Sequence, residues 1–419
     1  MDRLRIEGPT RLAGSIRAGG AKNAALPALA ASLLCSEPIE LLSVPDVRDV
    51  RTMLRLLEHF GVASERGAEG VTLRPGGEPP ADDAPYELVK TMRASVLALG
   101  PLLARLGHAR VSLPGGCAIG VRPIDQHLAG LEALGAHVEL EHGYVTARAP
   151  RLRGGCYRFD MPTVTGTENL IMAATLATGS TRLENCAREP EVADLAALLS
   201  RMGARIEGAG TATIEIEGVD SLGGARHRII PDRIEAGTYL IGGAMTAGEV
   251  RVENAEPSHL GALLEVLDEV GCQIDAAGPG ICLVGTPEIT SRDVATAPHP
   301  GFPTDLQAQY MALMTRTRGA SIIRETVFEN RFQHVPELAR MGAEISIEGG
   351  RAEVRGPTEL SGANVMATDL RASASLVLAG LAAVGTTVVD RVYHLDRGYE
   401  AMESKLQLLG ARVERLRGD

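Results

Sequence analysis

The chain has 419 residues, of which 45% are hydrophobic and 3% aromatic, with no tryptophan and a formal net charge of −11. That length allows two or three domains, and the acidic balance argues against a nucleic-acid backbone as the main partner. The six cysteines, Cys35, Cys117, Cys156, Cys186, Cys272 and Cys282, make no Cys-x-x-Cys pair, so they read as reduced thiols of a cytoplasmic protein and not as a disulfide framework or metal site.

In chain order, Arg3-Leu-Arg-Ile-Glu7 reads as a strand with no helix before it. The start carries no signal-peptide core, and no apolar run reaches membrane-span length free of charge or repeated glycine, so no membrane association is expected. A helix that ends in glycine and leads into a strand then recurs. It appears at Leu57-Glu-His-Phe-Gly61, Leu131-Glu-Ala-Leu-Gly135, Leu199-Ser-Arg-Met-Gly203, Leu267-Asp-Glu-Val-Gly271, Leu338-Ala-Arg-Met-Gly342 and Leu406-Gln-Leu-Leu-Gly410, at intervals of 68 to 74 residues. Each glycine suits the left-handed cap of a helix, and the period predicts six copies of one supersecondary unit. The neighbours of each cap give its content: strand, small-residue helix, strand, capped helix, then two strands around a glycine turn. The first helix of each unit is apolar on nearly all faces, which places it inside. After Gly410 only one strand remains, so the segment at residues 3–7 is predicted to complete the sixth unit. Two three-unit domains follow, residues 21–230 and residues 1–20 plus 231–419.

Polar residues cluster where the inner helices begin. The segments are Gly20-Ala-Lys22-Asn23, Lys90-Thr-Met-Arg93-Ala-Ser, Pro303-Thr-Asp305-Leu-Gln and Asp369-Leu-Arg371-Ala-Ser. Asp305 also suits an N-cap, and Lys22 also reads as an exposed charge. Arg48, Arg122 and Arg397 each lie 13 residues before a marker glycine, and Arg331 lies 11 before its own. A cation at a helix start opposes the helix dipole, and an anionic ligand relieves the conflict. A solvent-facing arginine, or one paired with Asp46 or Asp396, is the competing reading, and the preferred one for Arg48. Between these segments lies Leu113-Pro-Gly-Gly-Cys117-Ala-Ile-Gly-Val-Arg122-Pro123, a glycine-rich loop with one thiol and one guanidinium. A thiol donates a proton or attacks carbon, and arginine holds a phosphate or carboxylate by two bonds. A lone cysteine is more often a small buried residue, so the loop alone leaves both readings open. If the polar helix starts face an interdomain cleft, they form a basic pocket with one carboxylate and one thiol for a small, multiply anionic substrate. No Walker loop, dinucleotide-binding glycine fingerprint or His-Glu-x-x-His is present, so ATP hydrolysis, nicotinamide chemistry and zinc proteolysis are unsupported.

These motifs, together with Glu325-Thr-Val327-Phe-Glu-Asn-Arg331-Phe and Arg397-Gly-Tyr-Glu, resemble the UDP-N-acetylglucosamine 1-carboxyvinyltransferase (enolpyruvyl transferase) family over nearly the whole chain. The resemblance implies a two-domain inside-out α/β barrel of six βαβαββ units, three per domain, with the active site in the cleft between domains. It implies transfer of enolpyruvate from phosphoenolpyruvate to the 3′-hydroxyl of UDP-N-acetylglucosamine, the first committed step of peptidoglycan synthesis, by addition and elimination. By matched position, Lys22 and Asn23 contact phosphoenolpyruvate, Arg122 and Arg397 hold its charges, and Arg371 assists. Arg93, the run Arg122, Pro123, Ile124, Asp125 and Gln126, the run Thr163, Val164, Thr165 and Gly166, Asp305 and the backbone of Val327 contact the UDP-sugar. Cys117 resembles the proton donor and the site of alkylation by fosfomycin, and Asp305 the base or orienter of the hydroxyl. No cofactor, metal or obligate protein partner is implied. The chain departs from the family at Asp160-Met161-Pro162, where a lysine often precedes the Ser/Thr-Val segment; Arg158 is a candidate substitute. The competing functions are 3-phosphoshikimate 1-carboxyvinyltransferase, with the same fold and carbon donor, and a non-catalytic nucleotide-sugar-binding regulator.

Overall fold

The computed structural model describes residues 2–76, 83–90, 92–113 and 124–418. Cys117, Arg122 and Pro123 lie outside that set. The six marker glycines, Gly61, Gly135, Gly203, Gly271, Gly342 and Gly410, all have positive φ, from 79° to 107°. An added Cβ would meet nothing within 4 Å at Gly135, Gly203 or Gly410. The backbone angle, and not crowding, therefore demands glycine there.

The strands form six four-stranded sheets of one design. Cys156–Arg158 runs parallel to Ser180–Glu184, which is antiparallel to Thr213–Glu217, which is antiparallel to Arg205–Glu207. The parallel pair needs a helical crossover, and the small-residue helix supplies it. The same pattern of one parallel and two antiparallel pairings holds in the other five sheets.

Two compact units result. One contains the chain up to Gly19 and from Pro231 onward; the other runs within Gly20 to Ile230. In the first, Arg3–Gly8 lies between Gly385–Asp390 and Arg412–Leu416, and Ala13–Ile16 pairs in parallel with Glu249–Val252. In the second, Ala225–Arg228 pairs in parallel with Ile39–Leu42. Each unit has its own apolar core.

The inner helices are built as their sequences imply. Every residue after Arg233 in Arg233–Met245, and every residue after Leu370 in Leu370–Ala382, is buried. Asp232 and Asp369 cap them: Asp232 accepts from the amides of Ile234 and Glu235, Asp369 from those of Arg371 and Ala372, at 2.8 and 3.0 Å in each case. The stretch at Arg93 differs from a simple helix start. It forms a 3-10 turn, Arg93–Ala98, before the α-helix Leu99–Leu106. Pro101 has no amide hydrogen and falls in the first turn of that α-helix, where none is needed. Among the described residues no helix is long and apolar enough to cross a membrane.

Candidate active site

Asp305 sits in the 3-10 turn Thr304–Leu306, ahead of the buried helix Gln307–Met314. Its carboxylate caps no helix. Instead Oδ1 accepts from Arg331 Nη2 at 2.8 Å, and Oδ2 accepts from Arg371 Nε at 3.1 Å and Nη2 at 2.8 Å. The two guanidiniums are 3% and 4% exposed at the side chain, and Asp305 is 26% exposed. Burial opposes a charge on Asp305, but Arg371 and Arg331 outweigh it and hold the carboxyl well below the usual range. Each arginine also keeps one buried donor, Nη1, with no hydrogen-bond partner among the described residues. Buried donors of this kind are normally satisfied, so the triad presents unused N–H groups beside a fixed carboxylate.

The backbone of Asp305 is clamped from behind. Gln309 Nε2 lies 3.1 Å from Asp305 O, 3.0 Å from Thr238 Oγ1 and 3.1 Å from Tyr399 Oη. The Arg371 guanidinium lies over the Tyr399 ring, 5.5 Å from its centroid. Tyr399 follows Arg397 by two residues, so these contacts anchor the 3-10 turn Val392–Arg397 to the Asp305 segment. Arg397 itself is half-buried. Of the two carboxylates that compete for the arginines, Asp396 bonds Arg415 at 2.7 and 3.0 Å and Asp46 bonds Arg51 at 2.7 Å twice. Val327 is partly exposed, and its amide donates to Glu325 Oε1 at 2.8 Å. With the amide committed, a ligand contact at the Val327 backbone falls to its carbonyl.

In the other unit, Lys22 opens the helix Lys22–Ala30 and is mostly buried, with Nζ 3.3 Å from Asp49 Oδ2. Asn23 follows it in the first turn, half-buried, and Ala21 supplies no side-chain cap. Gln126, at the start of Asp125–Ala133, accepts from the amides of Asp160 and Met161 at 2.7 and 3.3 Å. This joins the run Ile124, Asp125 and Gln126 to the turn before Thr163. Thr163 caps Val164–Ala174 by accepting from Gly166 N at 3.3 Å. Arg158 is 72% exposed, with Glu184 3.5 Å away.

His127 links three of these segments. Asn169 Oδ1 accepts from Gly100 N at 2.8 Å and Asn169 Nδ2 donates to Val96 O at 3.2 Å, which fixes the amide's orientation. Nδ2 then donates to His127 Nδ1 at 3.0 Å, so the neutral ring carries its proton on Nε2 and donates to Thr165 Oγ1 at 3.3 Å. Burial, reinforced by the Arg93 charge, pushes the His127 pKa down to about 3, which keeps the ring uncharged at neutral pH. Thr165 and the turn Arg93–Ala98, the latter through Val96, therefore share one hydrogen-bond network.

The described cysteines are all free. Burial pushes Cys186 up to about 12 and Cys272 up to about 11, and only Cys156 is exposed. Sequence reasoning placed Arg331 among the anion binders but not beside Asp305, and it passed over Glu325, Gln309, Asp49 and His127. For Arg331 and Arg371 a usable signal existed, since arginines flanked by core-forming residues need a counter-charge.

The EPSP synthase (3-phosphoshikimate 1-carboxyvinyltransferase) family model matches residues 6–406. A protein from Koribacter versatilis named UDP-N-acetylglucosamine 1-carboxyvinyltransferase is 58% identical, across 99% of this chain and 97% of its own length. One of the same name from Anaeromyxobacter dehalogenans is 60% identical across the full length of both. The crystal structure of the enolpyruvyl transferase NikO from Streptomyces tendae superposes with a TM-score of 0.89 at 26% identity, covering 100% of this chain and 99% of that one. An EPSP synthase from Acinetobacter baumannii shares the fold, with a TM-score of 0.75 at 17% identity over the full length of both chains.

Proposed function

We propose, since this chain belongs to the EPSP synthase family of carboxyvinyltransferases, that it transfers enolpyruvate from phosphoenolpyruvate to the 3′-hydroxyl of UDP-N-acetylglucosamine and releases phosphate. The acceptor follows from the relatives: those that carry the UDP-N-acetylglucosamine name are 58% and 60% identical, whereas the EPSP synthase compared above is 17% identical. The observation that carries the chemistry is Asp305 held between Arg331 and Arg371.

A carboxylate stabilised by two guanidiniums is a weak base. Asp305 therefore orients the acceptor hydroxyl and takes its proton only as the oxygen bonds to carbon. That oxygen attacks C2 of phosphoenolpyruvate while the Cys117 thiol delivers a proton to the C3 methylene, giving a tetrahedral adduct. Loss of a C3 proton and departure of phosphate restore the double bond. Lys22, Asn23, Arg122 and Arg397 hold the phosphate and carboxylate, with Arg371 assisting, and offset the charge that grows on them. The uncapped start of Lys22–Ala30 adds amide donors for the same anion. Arg93, Pro123, Ile124, Asp125, Gln126, Thr163, Val164, Thr165, Gly166 and the Val327 carbonyl bind the UDP-sugar. On this reading the protein acts in the cytoplasm at the first committed step of peptidoglycan synthesis, with fosfomycin as an alkylating inhibitor of Cys117. The test is phosphate release from phosphoenolpyruvate with UDP-N-acetylglucosamine, with shikimate 3-phosphate, and with no acceptor. Release with the first alone supports the reading; release only with the second, or with neither, overturns it.

A further inference from the structure

Glu325 directly follows the strand Gly319–Arg324, is buried, and has no role in the reaction above. Its carboxylate nonetheless accepts four hydrogen bonds. Oε1 accepts from Thr296 Oγ1 at 2.9 Å, Val327 N at 2.8 Å and Phe328 N at 3.1 Å, and Oε2 accepts from Thr304 Oγ1 at 2.8 Å. A carboxylate offers about four acceptor positions; here Oε1 takes three donors and Oε2 one. Three separate stretches converge on it: the edge at Thr296, the turn that carries Asp305, and the loop that carries Val327. A second tie reinforces the first, since Thr326 N donates to Thr296 Oγ1 at 2.9 Å and Thr326 Oγ1 donates to Thr296 O at 2.6 Å.

We infer that Glu325 is a positioning residue for the acceptor sugar, fixing the Val327 loop and the Asp305 turn relative to each other. The inference rests on the acceptor proposed above. Glu325 holds Thr304, the residue before Asp305, and the amide of Val327. It thereby sets the distance between the carboxylate that orients the hydroxyl and the carbonyl that contacts the sugar nucleotide. An error of an ångström between two such groups costs a large factor in rate or binding. Of the residues Glu325 holds, Val327 is itself an acceptor contact and Thr304 adjoins Asp305, and its hydrogen-bond partners include none of Lys22, Asn23 or Arg397, so its loss acts first on the acceptor. The need is for hydrogen-bonding atoms at two points, not for charge. Glu325→Gln keeps Oε1 for Thr296 and the two amides, and its Nε2 donates to Thr304 Oγ1 with the hydroxyl turned round.

The experiment compares Glu325→Ala, Glu325→Gln and Thr304→Val with wild type in steady-state assays that vary each substrate. In Glu325→Ala the KM for UDP-N-acetylglucosamine rises about tenfold or more, while the KM for phosphoenolpyruvate stays within about threefold. Glu325→Gln lies within about threefold of wild type on both, and Thr304→Val shows the same one-sided rise to a smaller extent. Equal rises for both substrates, or a Gln variant as poor as Ala, overturn the inference. Hydrogen exchange at the Val327 and Phe328 amides supplies a readout independent of turnover: faster in Glu325→Ala, unchanged in Glu325→Gln. Unchanged exchange in Glu325→Ala also overturns it, and that arm decides the matter even if wild type shows no activity toward the UDP-sugar, a result that would sink the proposed acceptor instead. Should Glu325→Ala fail to fold, the one-sided KM shift of Thr304→Val decides: its absence refutes the inference.

Discussion

Replacing Asp305 by Asn keeps the shape of the side chain and removes the one charge between two buried guanidiniums. Arg331 and Arg371 are 3% and 4% exposed, so neither regains water when the carboxylate goes. Breaking a buried pair by removing one partner costs about 3–5 kcal/mol. Asp305 is 26% exposed, which screens part of the interaction and favours the low end, about 3 kcal/mol. For a unit of this size that is a fall in Tm of roughly 6–12 °C. The control is Asp46→Asn, which breaks the surface pair with Arg51, 40% and 62% exposed, and should cost about 1 kcal/mol at most. Calorimetry follows the loss in the unit that contains Asp305. The pH dependence has a fixed sign. Asp305 titrates below its ordinary value of 3.8 in the folded protein, so its stabilisation is full above that value and disappears as pH falls through the depressed folded pKa. The gap between wild type and Asp305→Asn is therefore constant across neutral and mildly acid pH and narrows only below about pH 4. An Asp305→Asn protein no less stable than Asp46→Asn would refute the claim that the arginine pair depends on this carboxylate.

Cys117→Ala is expected to abolish nearly all turnover while UDP-N-acetylglucosamine binding, read by calorimetry, stays within a few-fold; wild-type-like turnover removes the thiol from the mechanism. Intact-mass and peptide analysis after fosfomycin treatment should find one adduct on Cys117 and none on the buried Cys186 or Cys272, with exposed Cys156 as the internal control for indiscriminate alkylation. Gly203→Ala places a side chain at φ 107° and should lower stability by about 1 kcal/mol or more. Gly67→Ala, with open space around it and no positive φ, should be neutral within about 0.5 kcal/mol. Equal effects in the two melts would contradict the capping argument.

The fold was legible because its signals are local. A positive φ at Gly61 or Gly410 is a property of one residue and its helix end, and six such caps at nearly constant spacing expose the repeat before any contact is known. The helix starts were legible for the same reason: Lys22, Arg93, Asp305 and Arg371 all sit where buried helices begin. The closing of the sixth unit by residues 3–7 was legible too, but side-chain pairings across long stretches of sequence were not. Arg331 looks like an anion binder by its offset from Gly342, yet it meets Asp305, 26 residues earlier. Glu325 stands in the same motif as Val327, but nothing in the motif says that its carboxylate, rather than that of Glu329, turns inward to collect Thr296 and Thr304.

The most direct test of addition followed by elimination is to run the reaction in deuterium oxide and analyse the modified UDP-sugar by NMR and mass spectrometry. Protonation of C3 by a solvent-exchanged thiol, then loss of a C3 hydrogen, predicts deuterium on the vinyl carbon of the enolpyruvyl product. A vinyl group free of deuterium, or a sugar that has gained phosphate instead, would contradict the account.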